Sequence, residues 1–198
     1  MSLQEHVLCV PRHALPKPWL QRRTALSLRY EQCLEVIAAA GYGYKPREKV
    51  EQDQQYKQII PYVVMLDIHG RVGCYRRKGS EKRLHGRDSV GLGGHVIRED
   101  AEAGRGELAS QLERGLYREL SEEFTTLPEH CQLTFKGIIN EEESSVGLVH
   151  LGLVFRMQVL TPKALRPGTE LHEFQWIPLR QVHHRPLELW SRLALQLI

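Results

Sequence analysis

One guanidinium and three carboxylates lie close together in "GLYRELSEEF" (115–124), as Arg118, Glu119, Glu122 and Glu123. On an α-helix, residues three and four apart share a face, so the three glutamates project to one side. The other side carries Leu108, Leu112, Leu116, Leu120 and Phe124, a stripe stepping by four that can bury against a sheet. Like charges stacked this way cost about 0.2–0.5 kcal/mol per pair, a penalty that a hard divalent cation would remove. A glutamate-rich face turned to water is the plain alternative. Just upstream, "GLGGH" sets Gly91, Gly93 and Gly94 where backbone groups can approach a ligand with no Cβ in the way. A glycine cluster leading into an acidic helix suits a bound cation. Such a cation neutralises anionic oxygens and lowers the pKa of a water held on it.

The elements that must position these residues show as patterns. Apolar residues recur at helical spacing over Thr24–Ala40, with "GYG" as a stop. "HVLCVPRHAL" reads as a short strand before Pro11, Pro16 and Pro18 break regularity. "EKVEQDQQYKQ" reads as a polar loop, and "IIPYVVMLDIHGRVGCYRRK" as a hairpin turning at His69 and Gly70. The stretch from Gly79 to Gly106 reads as a long loop. Further strands are expected in "QLTFKGIINEEESSVGLVHLGLVFRMQVL", with "NEEESS" as a solvated turn, and in "HEFQWIPL". The tail "LELWSRLALQLI" reads as an amphipathic helix that caps the core or mediates a homodimer. Strands and helices mix without strict alternation, which favours a mixed sheet with helices on its faces.

With 198 residues, 41% hydrophobic and 26% charged, the chain can bury a substantial core. A net charge of +3 is too mild for an extended nucleic acid but admits small anions. Cys9, Cys33, Cys74 and Cys131 show no metal or disulfide spacing. No apolar run approaches the roughly 20 residues of a membrane span, and a cytoplasmic location is expected.

The glycine pair, the loop and "RELSEEF" resemble the Nudix box, G-x5-E-x7-R-E-U-x-E-E-x-G-U with U aliphatic. Arg118, Glu119, Leu120, Glu122 and Glu123 match its core, and "ELHEFQWIPL" resembles the late acidic loop and tryptophan-bearing strand of the family. "RLHGRDSVGLGGHV" looks most like a subgroup of predicted MutT-family phosphoesterases. Counted back from Arg118, the early glutamate falls on Ser110 and the first glycine on Gly104. An insertion in "VIREDAEAGRGELASQLE" explains the offset, with Glu107 or Glu113 as substitute carboxylates; Thr125 replaces the closing glycine.

The resemblance implies an α/β (α+β) fold, a Nudix-like α/β/α sandwich on a mixed sheet, with residues 1–58 as an N-terminal extension and 59–198 as the domain. It implies a hydrolase that cleaves a pyrophosphate bond in a nucleoside diphosphate derivative by metal-activated water. Mg2+ or Mn2+ would be held by Glu119, Glu122 and Glu123 with the Gly94 carbonyl. The general base is a box glutamate or Glu170, six residues before Trp176, with Glu141, Glu142 and Glu143 as rivals. Arg118 is expected to point away from the glutamates, either in a supporting ion pair or exposed. The basic stretch 76–87, Arg76 and Arg83 above all, could hold substrate phosphates. His69, His85 and His95 lack metal-ligand spacing, and only His95, beside Gly94, is a candidate for the substrate site. A non-catalytic nucleotide-binding or regulatory module on the same fold is the alternative.

Overall fold

The computed structural model describes residues 5–76, 86–103, 106–127 and 131–198. The first apolar run forms β1 (His6–Pro11), and Arg23–Leu26 forms β2. Helix α1 (Tyr30–Ala39) leads to β3 (Gly43–Pro46) and the single turn α2 (Arg47–Val50). The hairpin is built from β4 (Tyr56–Asp67) and β5 (Arg71–Arg76), with Gly70 at φ 69° in its turn. Then come β6 (Asp88–Ser89), β7 (Gly91–Gly93), α3 (Arg98–Ala103) and the glutamate helix α4 (Leu108–Glu123). The chain continues through β8 (Phe124–Thr126), β9 (Cys131–Glu141), β10 (His150–Val159), β11 (Arg166–Pro167) and β12 (His172–Pro178). Two short helices close it, α5 (Leu179–Val182) and α6 (Leu189–Ala194).

Ten strands form one sheet, ordered β12-β5-β4-β10-β9-β2, with β1, β6 and β7 joined alongside and β3 paired to β1; β8 and β11 pair separately. Among the described residues, β4 and β10 pair in parallel and the other named strands antiparallel, which makes the sheet mixed as expected. Period-two alternation gives it two apolar faces. On one, Ile59, Val63 and Met65 of β4 and Leu151 and Leu153 of β10 pack with Cys33 and Ile37 of α1 and Leu112, Leu116 and Leu120 of α4. On the other, Tyr62, Val64 and Leu66 meet Leu193 and Ala194 of α6. This is the expected α/β/α sandwich. The fully buried Leu112 and Leu120 each contribute about 2 kcal/mol from leaving water and so fix how α4 is rotated.

Local expectations need correction where pairing overrides pattern. The first helix starts at Tyr30, not Thr24, because Thr24–Leu26 pair with Asn140–Ile138 on β9. The stretch taken for a long loop holds β6, β7 and α3, and the polar run before the hairpin holds α2 and the start of β4. Through β1 and β2, the N-terminal segment contributes strands to the same sheet. "NEEESS" is not a solvated turn. Glu141 is buried, and Glu142 pairs with Arg12 and, at 2.8 Å, with Lys57 Nζ, which has no exposure at all. Asn140 Oδ1 at 2.8 Å and the Gly147 carbonyl at 2.6 Å complete the ammonium's three acceptors. Burial lowers the Lys57 pKa to about 8, against the opposing pull of Glu142. Glu142 is therefore committed to a buried ion network, Glu141 to the Glu143 and Ser144 amides at 2.7 and 2.9 Å, and Glu143 to Arg22 and Arg23.

Candidate functional site

Two glutamates of "RELSEEF", Glu119 and Glu122, cluster around one side chain. Arg118 lies in the middle of this cluster, and the expectation that it points away from the glutamates is corrected. Its Nη1 donates to Glu119 at 2.9 Å and to Glu122 at 3.1 Å. Its Nη2 donates to the His95 carbonyl at 2.6 Å, and Nε and Nη2 each reach an Asp100 oxygen at 3.3 Å. The guanidinium thus ties α4 to the glycine loop and to α3 with planar, charge-assisted bonds.

Asp100 is a residue the sequence reading passed over. It is buried, and its Oδ2 also accepts from the Ile97 amide at 2.9 Å, which caps the start of α3. Counted forward from Gly94, residues 95–99 intervene, so Asp100 occupies the position that the box pattern gives its early glutamate. Counting back from Arg118 gives Ser110 because residues 101–117 stand where the pattern has seven. Ser110 and Glu113 instead line an open cleft between α3 and α4, beside Glu99 and Arg114, and Glu107 is the exposed N-cap of α4. The carboxylate on Arg118 from outside its own helix is Asp100, and counting from the glycines would have found it.

Gly94 is in direct contact with the helix. A Cβ there would fall 1.8 Å from Glu119 Cδ, so only glycine admits the carboxylate. Burial raises the Glu119 pKa while Arg118 pulls it down. Such a desolvated carboxylate, with Glu122 one turn on and backbone oxygens close by, offers the hard oxygen donors that Mg2+ or Mn2+ takes. At the end of α4, the Glu123 carbonyl accepts from the Gly168 amide at 2.7 Å, and β8 pairs with β11. Exposed Glu170 follows two residues later, so the late loop is anchored to the end of the glutamate helix. Thr125 needs no glycine conformation, because the chain passes from α4 straight into extended β8.

Arg76 and the His95 ring have other partners. Arg76 is held by buried Asp88 at 3.0 Å and by Glu173 at 3.7 Å, and Asp88 also takes Arg185 at 2.6 Å. Arg83 and His85 lie outside the described residues. The His95 ring faces His150, Nε2 to Nε2 at 3.2 Å, and these two with Glu51 place ligand atoms within 4.8 Å of one another. Among the described residues, no other His, Cys, Asp and Glu side chains form such a group of three or more. Burial lowers both histidine pKa values, opposed at His150 by the Val146 carbonyl. Fifty-five positions separate the two rings in sequence, so spacing alone could not pair them.

This fold is found in solved structures. The chain superposes on Tm1382, a presumed Nudix hydrolase, with a TM-score of 0.79, 26% identity and 97% coverage of both chains. The chain is Nudix/MutT-like. The NUDIX domain of Shewanella oneidensis NrtR, solved with ADP-ribose, shares the fold at a TM-score of 0.53 and 16% identity, over 71% of this chain and 84% of that one. Protein YmaB of Bacillus subtilis is 29% identical over 213 residues, covering 100% of this chain and 98% of its own. No protein-family model matches the sequence. None of the helices in the described residues is long and apolar enough to cross a membrane.

Proposed function

We propose that the protein is a Mg2+-dependent hydrolase that cleaves the phosphoanhydride of a nucleoside diphosphate derivative. The observation that carries this reading is the packing of the Glu119 carboxylate onto Gly94, with Arg118 holding Glu119, Glu122, Asp100 and the glycine loop together. Glu119, Glu122 and Glu123, with the Gly94 carbonyl, would hold the ion; Mn2+ suits the same oxygen donors. When bound, the ion neutralises anhydride oxygens and lowers the pKa of the attacking water. The chain's own residues do the rest. Arg118 fixes the rotamers of Glu119 and Glu122 so that the donors are in place before substrate arrives. Glu170, on the loop tied to Glu123, would take the proton from the water. His95, through its carbonyl, holds the glycine loop against Arg118.

Supporting this reading are the similarity to Tm1382 over nearly the whole chain and the retained R-E-L-x-E-E core. The test is product release from a panel of nucleoside diphosphate derivatives with Mg2+, with Mn2+ and with chelator, comparing wild type with Glu122→Gln. Metal-dependent turnover that the substitution abolishes is expected. No turnover, with a nucleotide still raising the melting temperature, would replace the hydrolase by the non-catalytic binding module.

A further inference from the structure

We propose that Glu51, His95 and His150 form a second metal site, for a transition-metal ion of the zinc class, that pins the N-terminal segment to the sheet. It lies across the sheet from the glutamate helix. Gly94 and Val96 face α4, one against Glu119 and the other within the core shared with Leu116. The Val96 carbonyl accepts from Leu8 and Ile97 bridges to Val7, so this stretch runs beside β1, and the His95 ring meets His150. His150 alternates with Leu151, which packs on the α4 side.

The donor geometry is that of a tetrahedral centre. Two nitrogens each 2.0–2.1 Å from one tetrahedral ion stand about 3.3 Å apart; the two Nε2 atoms are 3.2 Å apart, and the Glu51 carboxylate lies within 4.8 Å of both. The tautomer is set as well. His150 Nδ1 lies 2.7 Å from the Val146 carbonyl, which can only accept, so Nδ1 carries the proton and Nε2 presents its lone pair inward. Without an ion, His95 Nε2 must donate to that lone pair. With one, its proton moves to Nδ1 and the ring stays neutral.

A separate observation points to a missing ligand at the same place. Gln58 is fully buried, yet neither its Oε1 nor its Nε2 has a hydrogen-bond partner. It is paired in parallel register with His150, so the two side chains leave neighbouring strands on one face. Natural proteins rarely leave both ends of a buried amide unbonded; a water in the fourth position of an ion held by two imidazoles and a carboxylate would partner it. Two imidazoles favour zinc-class ions over Mg2+, which separates this site chemically from the box glutamates. Glu51 comes from the N-terminal segment, where Arg47 orients it through a 3.1 Å bond. The ion would therefore join that segment to the glycine loop and to the start of β10.

The test uses the full chain, purified without a histidine tag, stripped with chelator and titrated with ZnCl2, with bound metal counted by mass spectrometry and CoCl2 read by its tetrahedral visible bands. One zinc per chain is expected in wild type and in Glu122→Gln. Glu51→Gln and His150→Asn should weaken zinc by more than the about 100-fold that losing an outer-shell partner costs. Absence of stoichiometric zinc, or zinc lost with Glu122→Gln and kept with Glu51→Gln, would overturn the site. Should His150→Asn fail to fold, the half-exposed Glu51→Gln still decides. None of these readings depends on hydrolysis.

Discussion

Replacing Gly94 by alanine separates the packing role of the glycine loop from its proposed metal role. The backbone at 94 is not left-handed, so alanine brings no strain of its own. Its methyl, however, would lie 1.8 Å from Glu119 Cδ and 2.0 and 2.3 Å from the two oxygens, where ordinary carbon contacts need about 3.5–4.0 Å. The obstacle is the end of a flexible side chain, so the carboxylate withdraws by more than about 1 Å and breaks its 2.9 Å bond to Arg118. A charge-assisted bond of this kind is worth about 1.5–3 kcal/mol when buried. Both partners are about a quarter exposed, and Arg118 keeps Asp100, Glu122 and the His95 carbonyl. The expected loss of stability is therefore only about 1 kcal/mol. That is a drop of roughly 0.3–1 M in the urea midpoint with unchanged slope. Turnover should fall far more, by about 100-fold, because a proposed donor to the ion has moved by an ångström. Paired urea melts and Mg2+-dependent assays check this. Wild-type turnover in Gly94→Ala would sink the assignment of Glu119 as a metal ligand.

Asp100→Asn and Arg118→Met, alone and combined, should show a coupling of about 1–2 kcal/mol in urea melts, since the hydrogen bonds of the clamp share those two side chains; a coupling near zero would mean that the contact is incidental. Lys57 should make stability depend on pH in the alkaline range. Its folded pKa of about 8 lies below the unfolded value of 10.5, so the unfolded chain binds more protons between them and stability rises with pH across that window. The comparison with Lys57→Met isolates this slope from the buried cysteines and tyrosines, and a flat difference would refute it. With metal removed, buried His95 and His150 resist protonation that the unfolded chain accepts near pH 6.5, so stability should fall as pH drops below about 6.5. His150→Asn should flatten that acid limb in urea midpoints measured against pH.

Much of this architecture is local information. The Leu108-to-Phe124 stripe fixes α4 and the side on which its glutamates lie, and alternation around Gly70 marks the β4–β5 hairpin. Features made by distant partners were out of reach. Thr24–Leu26 carry a helical pattern but become β2, because unpaired donors and acceptors on the edge of β9 outweigh helix propensity. Charge density in "NEEESS" suggested solvent, yet Lys57, across a sequence gap of more than eighty residues from Asn140, turns it inward. Within the site, the pattern gave the helix half directly. The arginine's partner was obscured by α3, and the His95–His150 contact by its length in sequence.

The insertion shows what the box spacing encodes. A fixed count between the early carboxylate and the arginine describes one loop length, whereas the proposed chemistry needs two contacts: glycine backbone on Glu119 and a carboxylate on Arg118. Both contacts are present here although residues 101–117 separate Asp100 from Arg118. Lengthening a loop costs little, only about 0.6 kcal/mol per doubling, and the capping bond from Ile97 sets the Asp100 side chain whatever the length of the segment after it. Extra residues after Asp100 can therefore be accommodated without moving either contact. The same reasoning places the N-terminal segment within the working unit: Glu5 and Glu51 both pair with Arg47, so a chain of charges from that segment ends beside His95, whose carbonyl holds Arg118.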